Sequence, residues 1–226
     1  MTGAGFLKQL FGVWLTPRRR RRNFAGWEEK WATPDFAAPW LRRGISPEIL
    51  ASVSDGWFPA GGSSLDIGCG EGEVTAWMAR AGFPSVGIDI APAAIARARS
   101  KSPEIRGRLE FHCTDLCAQP PPDRQYRSLI DRGCFHQIAP EDRRDFLKHL
   151  LSACAPDARL VLFVRAYREG QPMGEPKECQ RVTGVVEAGF SGGFRIVRAS
   201  DTYLDRHGGT KPDQALGGRV FWLQRR

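Results

Sequence analysis

The stretch from Leu65 to Ile90, LDIGCGEGEVTAWMARAGFPSVGIDI, constrains the fold more than any other part of this 226-residue chain. Ser64 to Gly68 reads as a short apolar strand, and Gly68, Gly70 and Gly72 let the chain turn tightly and bring bare backbone against a ligand. Val74, Trp77, Met78 and Ala81 then recur at helical spacing, which predicts a helix directly after the turn. The first N–H groups of such a helix have no partner within it and face the polar end of a ligand. Pro84 to Ile88 reads as a second buried strand. Asp89 closes it 21 residues after Gly68, near the spacing at which an acid meets ribose hydroxyls. The pattern suits an adenosine-bearing ligand bound at the carboxyl ends of the strands.

The spacing Asp66, Gly68, Gly70, Gly72 with the later Asp89 resembles the class I S-adenosylmethionine-dependent methyltransferases, whose first motif reads acid-x-Gly-x-Gly-x-Gly. A dinucleotide fingerprint would want glycine at position 73, which is Glu, an acid that sits badly beside a pyrophosphate. The resemblance implies S-adenosyl-L-methionine as cofactor, with Asp66, Gly68, Cys69, Gly70, Asp89 and Ile90 around it. It also implies an adenine contact at Thr114 to Leu116, so Asp115 and Leu116 join the expected cofactor site.

The rest of the chain fits that family. Leu109 to Cys113, Arg127 to Asp131 and Arg159 to Val164 read as further strands, the last almost continuously apolar and so buried on both faces. Glu141 to Leu151 sets Phe146, Leu147, Leu150 and Leu151 on one helical face, and Lys177 to Ala188 reads as a helix stopped by Gly189. Gly193 to Tyr203 and Arg219 to Gln224 alternate as two final strands. The expected fold is α/β: a Rossmann-like, doubly wound, seven-stranded sheet, mostly parallel with an antiparallel C-terminal strand. The expected organisation is a basic amphipathic tail over 1–22, an aromatic lid segment over 23–60 and a methyltransferase domain over 61–226.

Six scattered cysteines without a Cys-x-x-Cys read as reduced thiols of a cytoplasmic protein, and the four histidines share no metal spacing. The net charge of +8 comes mainly from Arg18 to Arg22; residues 51–226 carry only +3. No basic stripe interleaved with aromatics runs through the body, which argues against nucleic acid. The fourth-strand loop agrees, since it reads Asp131-Arg132-Gly133-Cys134 instead of a base-stacking Asp-Pro-Pro-aromatic motif. Phe6, Leu7, Leu10, Phe11 and Trp14 share a helical face ahead of the arginines. Residues 5–22 therefore rest peripherally on an anionic membrane, dock on the domain as a cap, or form a flexible tail with solvated arginines, and with no acid before Glu28 they also suit an organelle transit peptide. The run is too short to span a bilayer, and its charge follows the apolar stretch, unlike a signal peptide.

Trp27 to Trp40, WEEKWATPDFAAPW, places four large aromatics just ahead of the glycine motif. These tryptophans, Pro39 and the following Gly44 to Leu50 resemble the opening segment of the thiopurine S-methyltransferase-like family, where it folds over the cofactor as a lid. That resemblance carries Trp31 and Trp40 over as lid contacts. In the fourth-strand exit loop DRGCFHQI, His136 is the candidate base or anion binder and Asp131 the candidate acid, expected to hold the methionine end of the cofactor. Phe135, Arg165 and Tyr167 are candidates for the acceptor pocket.

The reading is methyl transfer by in-line displacement to a small molecule, at a thiol or another soft heteroatom. Its rivals are an O- or N-methyltransferase of a natural-product or quinone-like metabolite, and a cofactor-binding regulatory protein without turnover. Nothing in the sequence sets the oligomeric state. Sedimentation of the full chain with vesicles tests the membrane role of residues 5–22: binding to anionic but not neutral vesicles supports it, and no binding rules it out.

Overall fold

The computed structural model describes residues 18–34, 36, 44–102, 108–122, 125–167, 174–204 and 217–226. Helix α1 (Arg18–Ala32) and helix α2 (Pro47–Ser54) precede the sheet. Strand β1 (Ser63–Ile67), helix α3 (Glu73–Arg80), strand β2 (Ser85–Asp89), helix α4 (Pro92–Lys101) and strand β3 (Leu109–Cys113) follow in alternation. Strand β4 (Tyr126–Arg132) leads through two short 3₁₀ turns into helix α5 (Arg143–Ser152). Strand β5 (Cys154–Arg165), helix α6 (Pro176–Phe190), strand β6 (Phe194–Tyr203) and strand β7 (Gly217–Arg225) complete it. The sheet order is β3-β2-β1-β4-β5-β7-β6. Only β7 runs against the others, as the family resemblance implied for a C-terminal strand, and it is wedged between β5 and β6.

The order of the strands reverses beside β1, which pairs with β2 on one edge and β4 on the other. Chain leaving β1 and chain leaving β4 therefore diverge, and a crevice opens at their carboxyl ends. Helices cover both faces. Leu65, Ile67, Leu162 and Phe221 pack with Phe146 of α5 and Val186 of α6 on one side. On the other, Ile130, Val161 and Val220 pack with Ile49 of α2 and Met78 of α3. Each such side chain contributes about 1.5–3 kcal/mol on burial, which explains why the central strands need near-continuous apolar sequence. The Trp222 indole N–H donates to Ser52 Oγ at 2.8 Å, so even the buried polar tip on this face is partnered and ties α2 to the sheet.

Three expectations are corrected. Strand β5 begins at Cys154 rather than Arg159: Cys154 pairs with Tyr126, and the register then shifts before Ser128 meets Arg159. Pro156 and exposed Asp157 lie in that shifted stretch and hide its strand character in the sequence. Gly189 does not stop α6 but lies inside it, because a Cβ there would come within 2.5 Å of Phe135 Cζ; the glycine is a packing residue. The boundary expected at residues 22 and 23 falls within α1, a single helix that includes both the arginine run and Trp27 and Trp31. Among the described residues no helix is long and apolar enough to cross a membrane.

Gly87, at the centre of β2, shows how tightly the sheet holds the turn above it. A Cβ at this position would meet Phe111 Cδ1 at 2.7 Å, Thr75 Oγ1 at 2.8 Å and Cys69 Sγ at 2.9 Å. Gly87→Ala is expected to lower stability by about 1–3 kcal/mol, more than the gain from a stiffer unfolded chain, as read by urea denaturation.

Candidate active site

Gly68, Gly70 and Gly72 all have positive φ, at 69°, 54° and 80°. Side chains at these positions would also collide with Cys134 Cβ (2.7 Å), Trp31 Cζ2 (3.0 Å) and Phe111 Cζ (2.5 Å) respectively, so the glycines serve close approach as well as conformation. The turn is held from β2. Asp89 Oδ2 accepts the Gly70 N–H at 2.9 Å and Oδ1 accepts the Ala91 N–H at 2.9 Å. Burial raises the Asp89 pKa against these backbone hydrogen bonds. Below the turn, the Thr75 hydroxyl donates to Asp66 Oδ2 at 2.6 Å. Burial still pushes Asp66 up to about 6, with the Asp89 charge adding to the effect and Arg132 opposing it.

A cavity of about 900 Å³ opens at the carboxyl ends of the strands. Of the expected cofactor residues, Asp66, Gly68, Cys69, Gly70, Asp89, Ile90, Asp115, Leu116 and Trp31 all line it. Asp115 is shaped by its own turn, with Oδ1 accepting the Cys117 N–H at 2.9 Å. Trp31 is buried, and its ring meets Phe36 edge-on at 5.4 Å above the glycine turn. Helix α1 is fastened to α4 by two contacts. Glu28 Oε2 accepts the Ala93 N–H at 3.0 Å near the positive end of α4, and Arg97 donates to the carbonyls of Phe36 (3.0 Å) and Thr33 (2.6 Å). Trp40 lies outside the described residues.

The candidates in the β4 exit loop separate. Asp131 does not line the cavity. It is fully buried, and its carboxylate accepts N–H groups from Gly133 (3.1 Å), Cys134 (2.8 Å) and Phe135 (3.0 Å), folding the loop about itself. Asp131 thus anchors its own exit loop, and it is not among the residues that line the cavity, where a contact to the methionine end was expected of it. Phe135 is fully buried between Phe146 (5.9 Å) and Phe190 (4.8 Å), in the core rather than an acceptor pocket. Tyr167 is also buried: its hydroxyl donates to Asp201 Oδ1 at 3.0 Å and accepts the Gly174 N–H at 2.9 Å, joining the end of β5 to β6. His136 and Arg165 do line the cavity.

His136 is not a cation here. Burial, then the Arg165 charge, lower its pKa to about 4 against an opposing pull from the Phe163 backbone. The ring is neutral at pH 7, which removes the anion-binding role expected of it through charge. Several lining residues escaped the sequence reading of the site: Trp27, Lys30, Glu73 and Arg132. Lys30 had a usable signal, since Trp27, Lys30 and Trp31 share one helical face. Arg132 had none, because only the sheet reversal brings the end of β4 beside β1.

Burial pushes Asp131 up to about 7, with its three backbone hydrogen bonds acting in the opposite direction. An acid raised in the folded state contributes stability that is fully present below its unfolded pKa and lost as pH rises through the folded one. The stability of Asp131→Asn relative to the parent should therefore rise between pH 4 and about pH 7 and then level off; urea denaturation across that range, showing a flat difference, would contradict this placement.

The family described as Methyltransferase domain matches residues 65–157, the span from β1 into β5. A 2-heptyl-1-hydroxyquinolin-4(1H)-one methyltransferase of Mycobacteroides abscessus is 32% identical over 128 residues, covering 56% of this chain and 55% of that protein. The chain thus spans about half the length of that relative. An uncharacterized methyltransferase of Schizosaccharomyces pombe is 30% identical over 105 residues, covering 46% of this chain and 71% of that protein. In fold, a solved SAM-dependent methyltransferase from Anabaena variabilis superposes with a TM-score of 0.67 at 16% identity, over 90% of this chain and 95% of that one. Identity of that order across 71% of the yeast protein, together with the family match over residues 65–157, places the chain within the methyltransferase-domain family.

Proposed function

We propose that this protein transfers a methyl group from S-adenosyl-L-methionine to a small-molecule acceptor, and that the accepting atom is a thiol sulfur or another soft heteroatom. The observation that carries the first part is Asp89. It closes β2, clamps the glycine turn through Gly70, and still lines the cavity. Each of its oxygens is given one backbone N–H, which leaves acceptor capacity on both for a pair of ribose hydroxyls.

The remaining residues fit the same donor. Asp66 is a buried carboxylate whose charge is opposed by desolvation, and a cationic amine or sulfonium nearby would stabilise that charge. Asp115 and Leu116 stand at the end of β3, where they would meet the adenine, and Trp31 would close the site over the turn. S-adenosyl-L-methionine supplies, when bound, a methyl carbon already activated for displacement. The chain then has to align an acceptor and exclude water.

The second part rests on His136. With a pKa near 4 it is too weak a base to assist an ordinary alcohol or ammonium group, so the site suits an acceptor that arrives with its nucleophilic lone pair already available. Selenols and acidic thiols meet that condition near neutral pH, and ordinary thiols meet it in the fraction present as thiolate. The likeness of Trp27 to Trp40 to the thiopurine S-methyltransferase opening segment supports the same choice. Asp89→Ala is expected to weaken S-adenosyl-L-methionine binding by 10-fold or more in calorimetry, with circular dichroism as the fold control; unchanged affinity removes the assignment of the cofactor site. With labelled cofactor, thiols and selenols should accept methyl faster than amines, and the reverse order overturns the soft-acceptor reading alone.

A further inference from the structure

We infer that the acceptor enters this site as an anion, its charge seated against the Arg165 guanidinium and its accepting edge against the Nε2–H of a neutral His136. This rests on the methyl-transfer part of the reading above, not on its soft-acceptor part, and sets the charge of the substrate: an ionised thiol or an acidic hydroxyl.

The geometry begins with the His136 ring. The Arg165 backbone N–H donates to His136 Nδ1 at 3.4 Å. A peptide N–H can only donate, so Nδ1 is the acceptor and the proton of the neutral ring resides on Nε2. The ring is further confined by Gly133, where a Cβ would lie 3.2 Å from His136 Cε1. Held in this way, the ring lines the cavity beside Arg165.

Arg165 and Arg132 supply the matching charges. They end the neighbouring strands β5 and β4, which pair in parallel up to Arg132 and Phe163, and both line the cavity. Arg132 has one N–H on the Leu204 carbonyl at 2.7 Å, which steadies its head group at that edge. The lining carboxylates lie elsewhere in the chain. Asp66, Asp89 and Asp115 belong to the ends of β1, β2 and β3, while Glu73 opens α3 and accepts the Gly44 N–H at 3.1 Å. Asp142 ends the second 3₁₀ turn, ahead of α5. None of the five is on β4, β5 or the loop between Gly133 and Ile138. An ammonium acceptor would meet like charge at this edge, and a neutral alcohol would meet a donor where it needs a base. An anion satisfies both guanidinium and imidazole and needs no deprotonation.

The test compares thiophenol and pentafluorophenol, largely ionised at pH 8, with phenol and aniline, which are not. Labelled methyl should pass to the first two and at least 10-fold less to the others. Arg165→Gln should raise KM for the ionised acceptors 10-fold or more with kcat within threefold, Arg165→Lys should restore part of the loss, and S-adenosylhomocysteine affinity should stay within twofold in both. Equal turnover of aniline, or an unchanged KM in Arg165→Gln, overturns the inference. Calorimetry of pentafluorophenol on the protein loaded with S-adenosylhomocysteine reads the anion site without turnover. A 10-fold loss there in Arg165→Gln, with no methyl transfer to any acceptor, sinks the methyl-transfer reading and keeps the anion site; no loss sinks the anion site whatever the turnover.

Discussion

The two hydrogen bonds that Asp89 accepts, from Gly70 and from Ala91, hold together everything that makes this sheet a site. One fixes the turn after β1 to the end of β2, and the other turns the chain out of β2 into α4. With the turn fixed, α3 starts beneath it and delivers Thr75 to Asp66. With α4 fixed, its first turn offers the Ala93 N–H to Glu28 and its Arg97 to the end of α1, so Trp31 comes to rest over Gly70. The position of Trp31 over Gly70 thus depends on the Asp89 carboxylate at the end of β2.

The buried acids divide by what surrounds them. Asp131 is enclosed by the backbone of its own exit loop, which makes it a structural anchor whose ionisation costs stability. Asp66 is held by one hydroxyl and opens onto the cavity, which leaves its charge to be answered by a ligand. The opposite edge, at the ends of β4 and β5, presents guanidinium groups and a neutral imidazole. The cavity therefore carries carboxylates at the ends of β1 and β2 and just after β3, and guanidinium groups at the ends of β4 and β5, with Arg132 close enough to Asp66 to oppose its pKa rise.

Much of the fold was legible because the signals were local. The alternation of apolar runs with helical runs announces seven strands and their crossovers, and the glycine spacing announces the turn. What was missed had a non-local cause. The early start of β5 at Cys154 depends on pairing with Tyr126 across a register shift, which Pro156 and Asp157 conceal. Gly189 looks like a helix stop until the Phe135 ring occupies the space where its Cβ would be. Phe135 and Tyr167 sit in stretches that the sheet carries to the cavity, yet their side chains turn into the core and the β5–β6 junction.

The sequence by itself determined the class of fold and the cofactor half of the site, because a positive-φ glycine turn, a following helix and an acid at the next strand end need only their own spacing to work. Only the tertiary structure decided the surroundings of His136 and Asp131. The protonation of His136 depends on burial and on the Arg165 charge, and the role of Asp131 depends on three N–H groups of a folded loop. The first is set by desolvation and by packing against a strand 29 residues on, the second by desolvation and a locally folded loop, and no residue type carries that information alone.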